Sequence, residues 1–212
     1  MDITLYYAPN TCALAPFISL REAGADFKVK ALNFRKKEQM APDYMAMTPK
    51  HKVPLLIVDG RGLTENPAIQ LWIARTFPAA RLLPQDPWRE VEAISVLSWC
   101  ASGIHPHLSR INSPEKYCCA DVSVEEAKAL GYRFLDENFQ VLEKMLSGRE
   151  FLFDHFTAAD AHMFWCLRRA QQLGFDLAGL PNCLSYFDRI SQRPSVCDVV
   201  AFEAQTLAAF AA

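Results

Sequence analysis

Tyr6-Tyr7-Ala8-Pro9-Asn10-Thr11-Cys12-Ala13-Leu14-Ala15-Pro16 joins two patterns of different period. Before the break, Ile3 to Tyr7 is a short apolar run with the β-branched and aromatic content of a strand. Pro9-Asn10 ends it. Beyond the break, Leu14, Ile18 and Leu20 are spaced to make the apolar face of a helix. Thr11 can cap that helix, which puts Cys12 in its first turn. A thiol there faces the positive end of the helix dipole and free backbone N–H groups, and both favour thiolate over thiol. A free cysteine is also commonly a small buried apolar residue. Position alone leaves Cys12 open between a reactive role and a core role.

Working outward, Gly24 stands where a helix C-cap glycine belongs, and Phe27 to Leu32 alternates as a second strand. Strand, helix and strand with a short return form a βαβ unit with an expected right-handed crossover. A short irregular helix is expected near Lys37 to Met47. Val53 to Val58 reads as a strand with Pro54 at its start, a place where a missing donor is tolerated. Asp59-Gly60 is a turn signal, and Gly62 to Glu65 returns, which makes a hairpin. Asn66 is a strong helix N-cap and Pro67 suits the first helical position. Residues 1–78 therefore read as a mixed α/β domain.

Residues 79–87 carry two prolines and no helical stripe, and mark the domain boundary. Residues 88–212 read as almost entirely helical. One helix starts near Trp88 and runs towards Gly103, where Pro106 should kink or end it. Another spans about Val124 to Leu146, with Glu125 and Glu126 in its first turn. Thr157 and Asp160 make a capping-box variant ahead of an unusually apolar helix, expected at the domain centre. Pro181 and Pro194 open the last two helices. The 112–123 stretch, with Cys118-Cys119, reads as loop.

The chain has 212 residues and a formal net charge of −2, which gives no argument for nucleic acid or an acidic membrane surface. No apolar run approaches the ~18 residues of a membrane span, and the N-terminus lacks a secretory pattern. The seven cysteines are irregularly spaced with no CxxC pair, and the five histidines form no ligand cluster with them. No metal is expected. A cytoplasmic protein with reduced thiols fits this usage.

The ordered landmarks are a βαβ unit, a Val-Pro hairpin, a Glu-Asn-Pro helix start and a helical domain with a Thr-x-x-Asp box. Together they resemble the glutathione S-transferase family over essentially the whole chain. The stretch Leu5 to Pro16 is most similar to the bacterial, cysteine-containing beta class. The resemblance implies a thioredoxin-like N-terminal domain, with a mixed four-stranded sheet and three helices, that binds glutathione. It also implies an all-α C-terminal domain that shapes the second-substrate pocket, and a homodimer.

Residue by residue, the resemblance assigns Cys12 and His105 to the glutathione sulfur. Val53 pairs its backbone with the cysteinyl part of glutathione, next to a cis Pro54. Glu65 and Asn66 hold the γ-glutamyl end. Lys36 or Lys37 reaches the glycyl carboxylate, and Lys52 lies just before Val53. Tyr6 is a reserve candidate. The chain departs from the family at Ala13, where Ser is frequent, at Asn66, where Ser is usual, and at Pro106, where Lys is usual.

Three readings follow. In the first, a glutathione transferase stabilises the glutathione thiolate for attack on a hydrophobic electrophile. In the second, Cys12 is itself the nucleophile of a thiol transferase or peroxidase and forms a mixed disulfide with glutathione. In the third, the fold serves binding or regulation without turnover; the departures at Ala13, Asn66 and Pro106 keep this reading open, and the intact Cys12, Val53-Pro54 and Glu65 argue against it.

Overall fold

A computed structural model describes residues 1–119 and 121–211; Ala120, inside the expected 112–123 loop, and Ala212 lie outside the described residues. The chain divides into two compact units. One is Met1–Leu83 together with the segment from Gln192 onward, and the other is Pro84–Ser191.

The first unit is built on a four-stranded sheet of order β2-β1-β3-β4. β1 (Ile3–Tyr7) is its buried centre, as its near-continuous apolar run requires. It pairs in parallel with β2 (Lys28–Ala31), Leu5 opposite Val29, and antiparallel with β3 (Leu55–Val58), Leu5 opposite Leu56. β3 turns into β4 (Arg61–Thr64) through Asp59 and Gly60, both at positive φ. That conformation matches the twist of the strands it joins and suits glycine. α1 (Leu14–Glu22) makes the crossover from β1 to β2 and ends at Gly24, φ 61°. The stretch expected as one irregular helix, Lys37 to Met47, is a 3-10 turn, Glu38–Met40, followed by α2 (Pro42–Met47); another 3-10 turn, Phe34–Lys36, precedes it. Lys37 at φ 55° separates the turns and interrupts the helical hydrogen bonding. α3 (Asn66–Thr76) completes the set of three helices.

The second unit is built of helices, with one isolated bridge between Cys119 and Val122. Asp86 caps α4 (Pro87–Trp99), accepting from the Trp88 and Arg89 N–H groups. A π-helical turn, Cys100–Ile104, then leads into α5 (His105–Asn112). Pro106 sits in the first turn of α5, where its missing N–H is tolerated. α6 (Val124–Met145) approaches α5 closely at Gly131, where an added Cβ would lie 2.6 Å from Ile111. α7 (Ala158–Gln172) is buried from Ala158 through Leu167, the central helix its composition implied. Thr157 and Asp160 form its capping box, and the Asp160 carboxylate also accepts from Leu152 N and Tyr186 OH. α8 (Pro181–Ser191) ends the unit.

The last helix of the stretch expected as the helical domain, 88–212, lies apart from the rest of it. α9 (Pro194–Ala211) groups with the sheet-containing unit. Its polar residues account for this. Arg193, just ahead of it, pairs with Glu22 at 2.8 Å, Ser195 donates to the same carboxylate, and Glu203 accepts from Tyr7. Phe202 stands edge-on to Phe17, their ring centres 5.2 Å apart.

Candidate active site

The loop between β1 and α1 sets the position of Cys12. Asn10 turns at φ 62°, and its N–H donates to the Glu203 carboxylate at 2.8 Å. The Thr11 hydroxyl donates back to Ala8 O at 2.6 Å, which closes the loop on itself. Thr11 is therefore not the helix cap expected of it. α1 begins at Leu14 behind Ala13, and Cys12 lies ahead of the helix.

Cys12 is 8% exposed. Its thiol faces the Val53 carbonyl at 3.9 Å, and its own carbonyl accepts from Asn66 Nδ2 at 2.7 Å. Burial pushes the thiol up to about 12, against the pull of the Asn66 side chain, the local backbone and Lys52; Glu65 adds to the rise. The expectation that the helix dipole holds a thiolate here is corrected. The desolvation of a buried sulfur outweighs the few donors around it.

Val53 and Pro54 are joined by a cis peptide bond. Asn66 is the first residue of α3, with Glu65 at φ 72° in the cap position, so the N-cap role expected of Asn66 is also corrected. Its amide is drawn to Cys12 and leaves the helix end uncapped. The Glu65 carboxylate is held by Lys50, Nζ to Oε1 2.5 Å, and Lys50 also reaches Thr64.

Cys12, Val53 and Asn66 thus come together. Lys52 is exposed, and its carbonyl accepts from Tyr44 OH. Lys36 is exposed at the end of its 3-10 turn, where its N–H meets Asn33 Oδ1. Tyr6 accepts from Lys30 Nζ at 3.3 Å and packs on Tyr44. In the helical unit, His105 opens α5 with its ring edge-on to Trp165, 4.7 Å between centres. Sequence reasoning missed Lys50, Tyr7 and Glu203. No spacing rule pairs residues so far apart in the chain. Among the described residues no cluster of His, Cys, Asp or Glu could hold a metal. No helix there is long and apolar enough to cross a membrane.

Family models for the glutathione S-transferase N-terminal and C-terminal domains match residues 1–75 and 125–189. The Escherichia coli O157:H7 glutathione S-transferase GstA is 32% identical over 94% of this chain and 98% of its own length. The chain belongs to the glutathione S-transferase family. Its fold agrees with solved glutathione S-transferases. A sphingomonad glutathione S-transferase complexed with glutathione superposes with a TM-score of 0.83 at 32% identity, covering 95% of this chain and 98% of that one. The beta-class glutathione S-transferase of Sphingomonas chungbukensis gives 0.84 at 34% identity, covering 94% and 98%. The segment that matches the glutathione S-transferase N-terminal model contains Cys12, Lys36, Lys52, Val53, Pro54, Glu65 and Asn66, whereas His105 lies between the two matched segments.

Proposed function

We propose that this glutathione transferase holds the glutathione sulfur as a thiolate for attack on an electrophilic, apolar second substrate, and that Cys12 takes part as a neutral thiol donor. The observation that carries this reading is the buried Cys12 sulfur, whose S–H faces the Val53 carbonyl at 3.9 Å; that burial pushes the thiol up. A sulfur that keeps its proton is a poor nucleophile and a usable hydrogen-bond donor, and a glutathione thiolate needs donors.

The proposed pose uses groups within the first unit. The Val53 carbonyl now faces the Cys12 S–H. When the cysteinyl backbone of glutathione takes that carbonyl, the Cys12 proton turns to the incoming sulfur. The start of α3 offers backbone N–H groups to the γ-glutamyl carboxylate. Glu65 takes the ammonium, exchanging Lys50 for it. Lys36 and Lys52 are the cations for the glycyl carboxylate. His105 keeps the role that the family resemblance gives it, and the chain acts as a homodimer. The sphingomonad relative complexed with glutathione supports glutathione as co-substrate. The thiol-transfer alternative needs Cys12 as a thiolate, and its burial speaks against that.

The test is retention on immobilised glutathione, followed by turnover of a chlorinated nitrobenzene and of a hydroxyalkyl disulfide by the wild type and Cys12→Ala. Retention and conjugation are expected, with conjugation slowed about tenfold in Cys12→Ala for the loss of one donor. Disulfide turnover that vanishes in Cys12→Ala while conjugation is untouched would make Cys12 the nucleophile instead. Absence of glutathione binding would end both readings.

A further inference from the structure

Asn66 stands where the family resemblance leads one to expect serine, and its side chain is longer than a serine's and carries two N–H donors on one nitrogen. The Nδ2 group crosses from α3 to the carbonyl of Cys12, 54 positions earlier, in a buried 2.7 Å hydrogen bond. That contact also fixes which way the amide faces, because the reversed amide would set two acceptors against each other. Nδ2 keeps a second N–H, and the Asn66 side chain pulls the Cys12 thiol down against its burial. The arrangement has a cost. Asn66 is 5% exposed, and its Oδ1 is buried with no hydrogen-bond partner. A buried acceptor without a partner destabilises the fold. Asn66 is thus a poor choice for stability alone. Its contacts converge on Cys12.

We infer that Asn66 is a positioning residue that acts through Cys12: its amide fixes the Cys12 main chain and donates to the Cys12 sulfur, which makes the S–H a stronger donor to a bound thiolate. The inference rests on the proposed role of Cys12 as a thiol donor. Its physical basis is a hydrogen-bond chain, Asn66 N–H to Cys12 sulfur and Cys12 S–H to the glutathione sulfur, in which each bond polarises the next. It also gives a reason why Ala13, which has no donor of its own, is tolerated beside Cys12: the donor comes from α3.

The experiment is a double-mutant cycle read by the ultraviolet absorbance of bound glutathione thiolate as a function of pH. The four proteins are the wild type, Asn66→Leu, Cys12→Ala and the double variant. Leucine matches asparagine in shape and removes both the donor and the orphaned acceptor. Asn66→Ser is made alongside in case Asn66→Leu does not fold. Loss of the Asn66 amide is expected to raise the apparent pKa of bound glutathione by about half a pH unit or more in the wild-type background, and to have no further effect once Cys12 is Ala. An equal rise in both backgrounds would mean that Asn66 acts on glutathione directly, and would overturn the inference.

A second measurement separates this from the role of Cys12 itself. In the free protein, iodoacetamide alkylation of Cys12 at pH 9, followed by peptide mapping, is expected to slow about three- to tenfold in Asn66→Leu. If Cys12→Ala leaves bound glutathione unchanged, the donor reading of Cys12 fails, and the slowed alkylation still supports the hold of Asn66 on Cys12. Unchanged alkylation would overturn that hold.

Discussion

The phenol of Tyr7, on the central strand, donates to the carboxylate of Glu203, on the last helix, across 196 positions of sequence at 2.8 Å. Both residues are buried, at 0% and 1% exposure. The same carboxylate oxygen accepts from Asn10 N–H, two residues before Cys12. One side chain therefore ties the last helix both to the sheet and to the loop that carries the thiol.

Removing that carboxylate takes one acceptor from both the Tyr7 phenol and the Asn10 N–H. Glu203→Ala is expected to destabilise the protein by about 3 kcal/mol and to weaken glutathione binding, because Asn10 is released along with Tyr7. Tyr7→Phe removes one donor only, should cost about 1 kcal/mol, and should leave glutathione affinity near the wild-type value. Urea melts and glutathione titrations of the two variants check this. Equal loss of affinity in both would show that the Asn10 contact is not what holds the loop.

Thiol reactivity should follow burial rather than sequence context. Cys119 and Cys197 are exposed, whereas Cys12 is not. Alkylation followed by peptide mapping is expected to modify Cys119 and Cys197 first at pH 7. The Cys12 rate should then climb about tenfold per pH unit through pH 9 with no plateau, since its thiol sits up at about 12. A plateau below pH 8 would restore the thiolate that the helix dipole argument implies.

The acid side of the stability curve should register the link between α1 and the segment ahead of α9. Burial pushes the Glu22 carboxyl up, but hydrogen bonds from Arg193 and Ser195 and the Arg193 charge bring it below its ordinary 4.5. A depressed carboxyl stabilises the fold above its unfolded value, and that contribution is lost as pH falls through the folded value. Glu22→Gln is therefore expected to be less stable than wild type at pH 7 and to lose less stability below about pH 4.5. Parallel acid curves for the two proteins would contradict this.

Local chemistry made most of the architecture legible in the sequence. The run Ile3 to Tyr7 is apolar because β1 is covered on both faces, Asp59-Gly60 demands a tight turn, and Thr157 with Asp160 writes a helix start. The errors lie where other contacts, long-range or local, override the expected preference. Asn66 is a good cap by propensity, but its amide reaches Cys12. Thr11 is another, but its hydroxyl turns back to Ala8. Cys12 has a helix ahead of it, yet burial governs its proton. α9 reads as one more helix of the helical domain, but Glu203, Arg193, Ser195 and Phe202 hold it in the sheet-containing unit. Helical periodicity shows that a helix has an apolar face but not which unit covers it.

His162, on the central helix α7, is fully buried and neither ring nitrogen has a hydrogen-bond partner. Burial, with a smaller push from His105, lowers its pKa to about 3. The folded protein thus keeps this imidazole neutral over a range in which the unfolded chain protonates it, with an ordinary value of 6.5. A depressed histidine contributes fully above pH 6.5, and that contribution fades as pH falls towards 3, by about 1.4 kcal/mol per pH unit. His162→Leu removes both the titration and the two unpaired nitrogens. It is expected to be at least as stable as wild type at pH 7, and its advantage should grow by more than about 1 kcal/mol at pH 5, as urea melts at the two pH values would show. Trp165 packs against both His162 and His105, at 5.9 and 4.7 Å between ring centres, so its fluorescence reports whether the substitution disturbs the site around His105. If the advantage is the same at both pH values, the ring is not held neutral in the folded state.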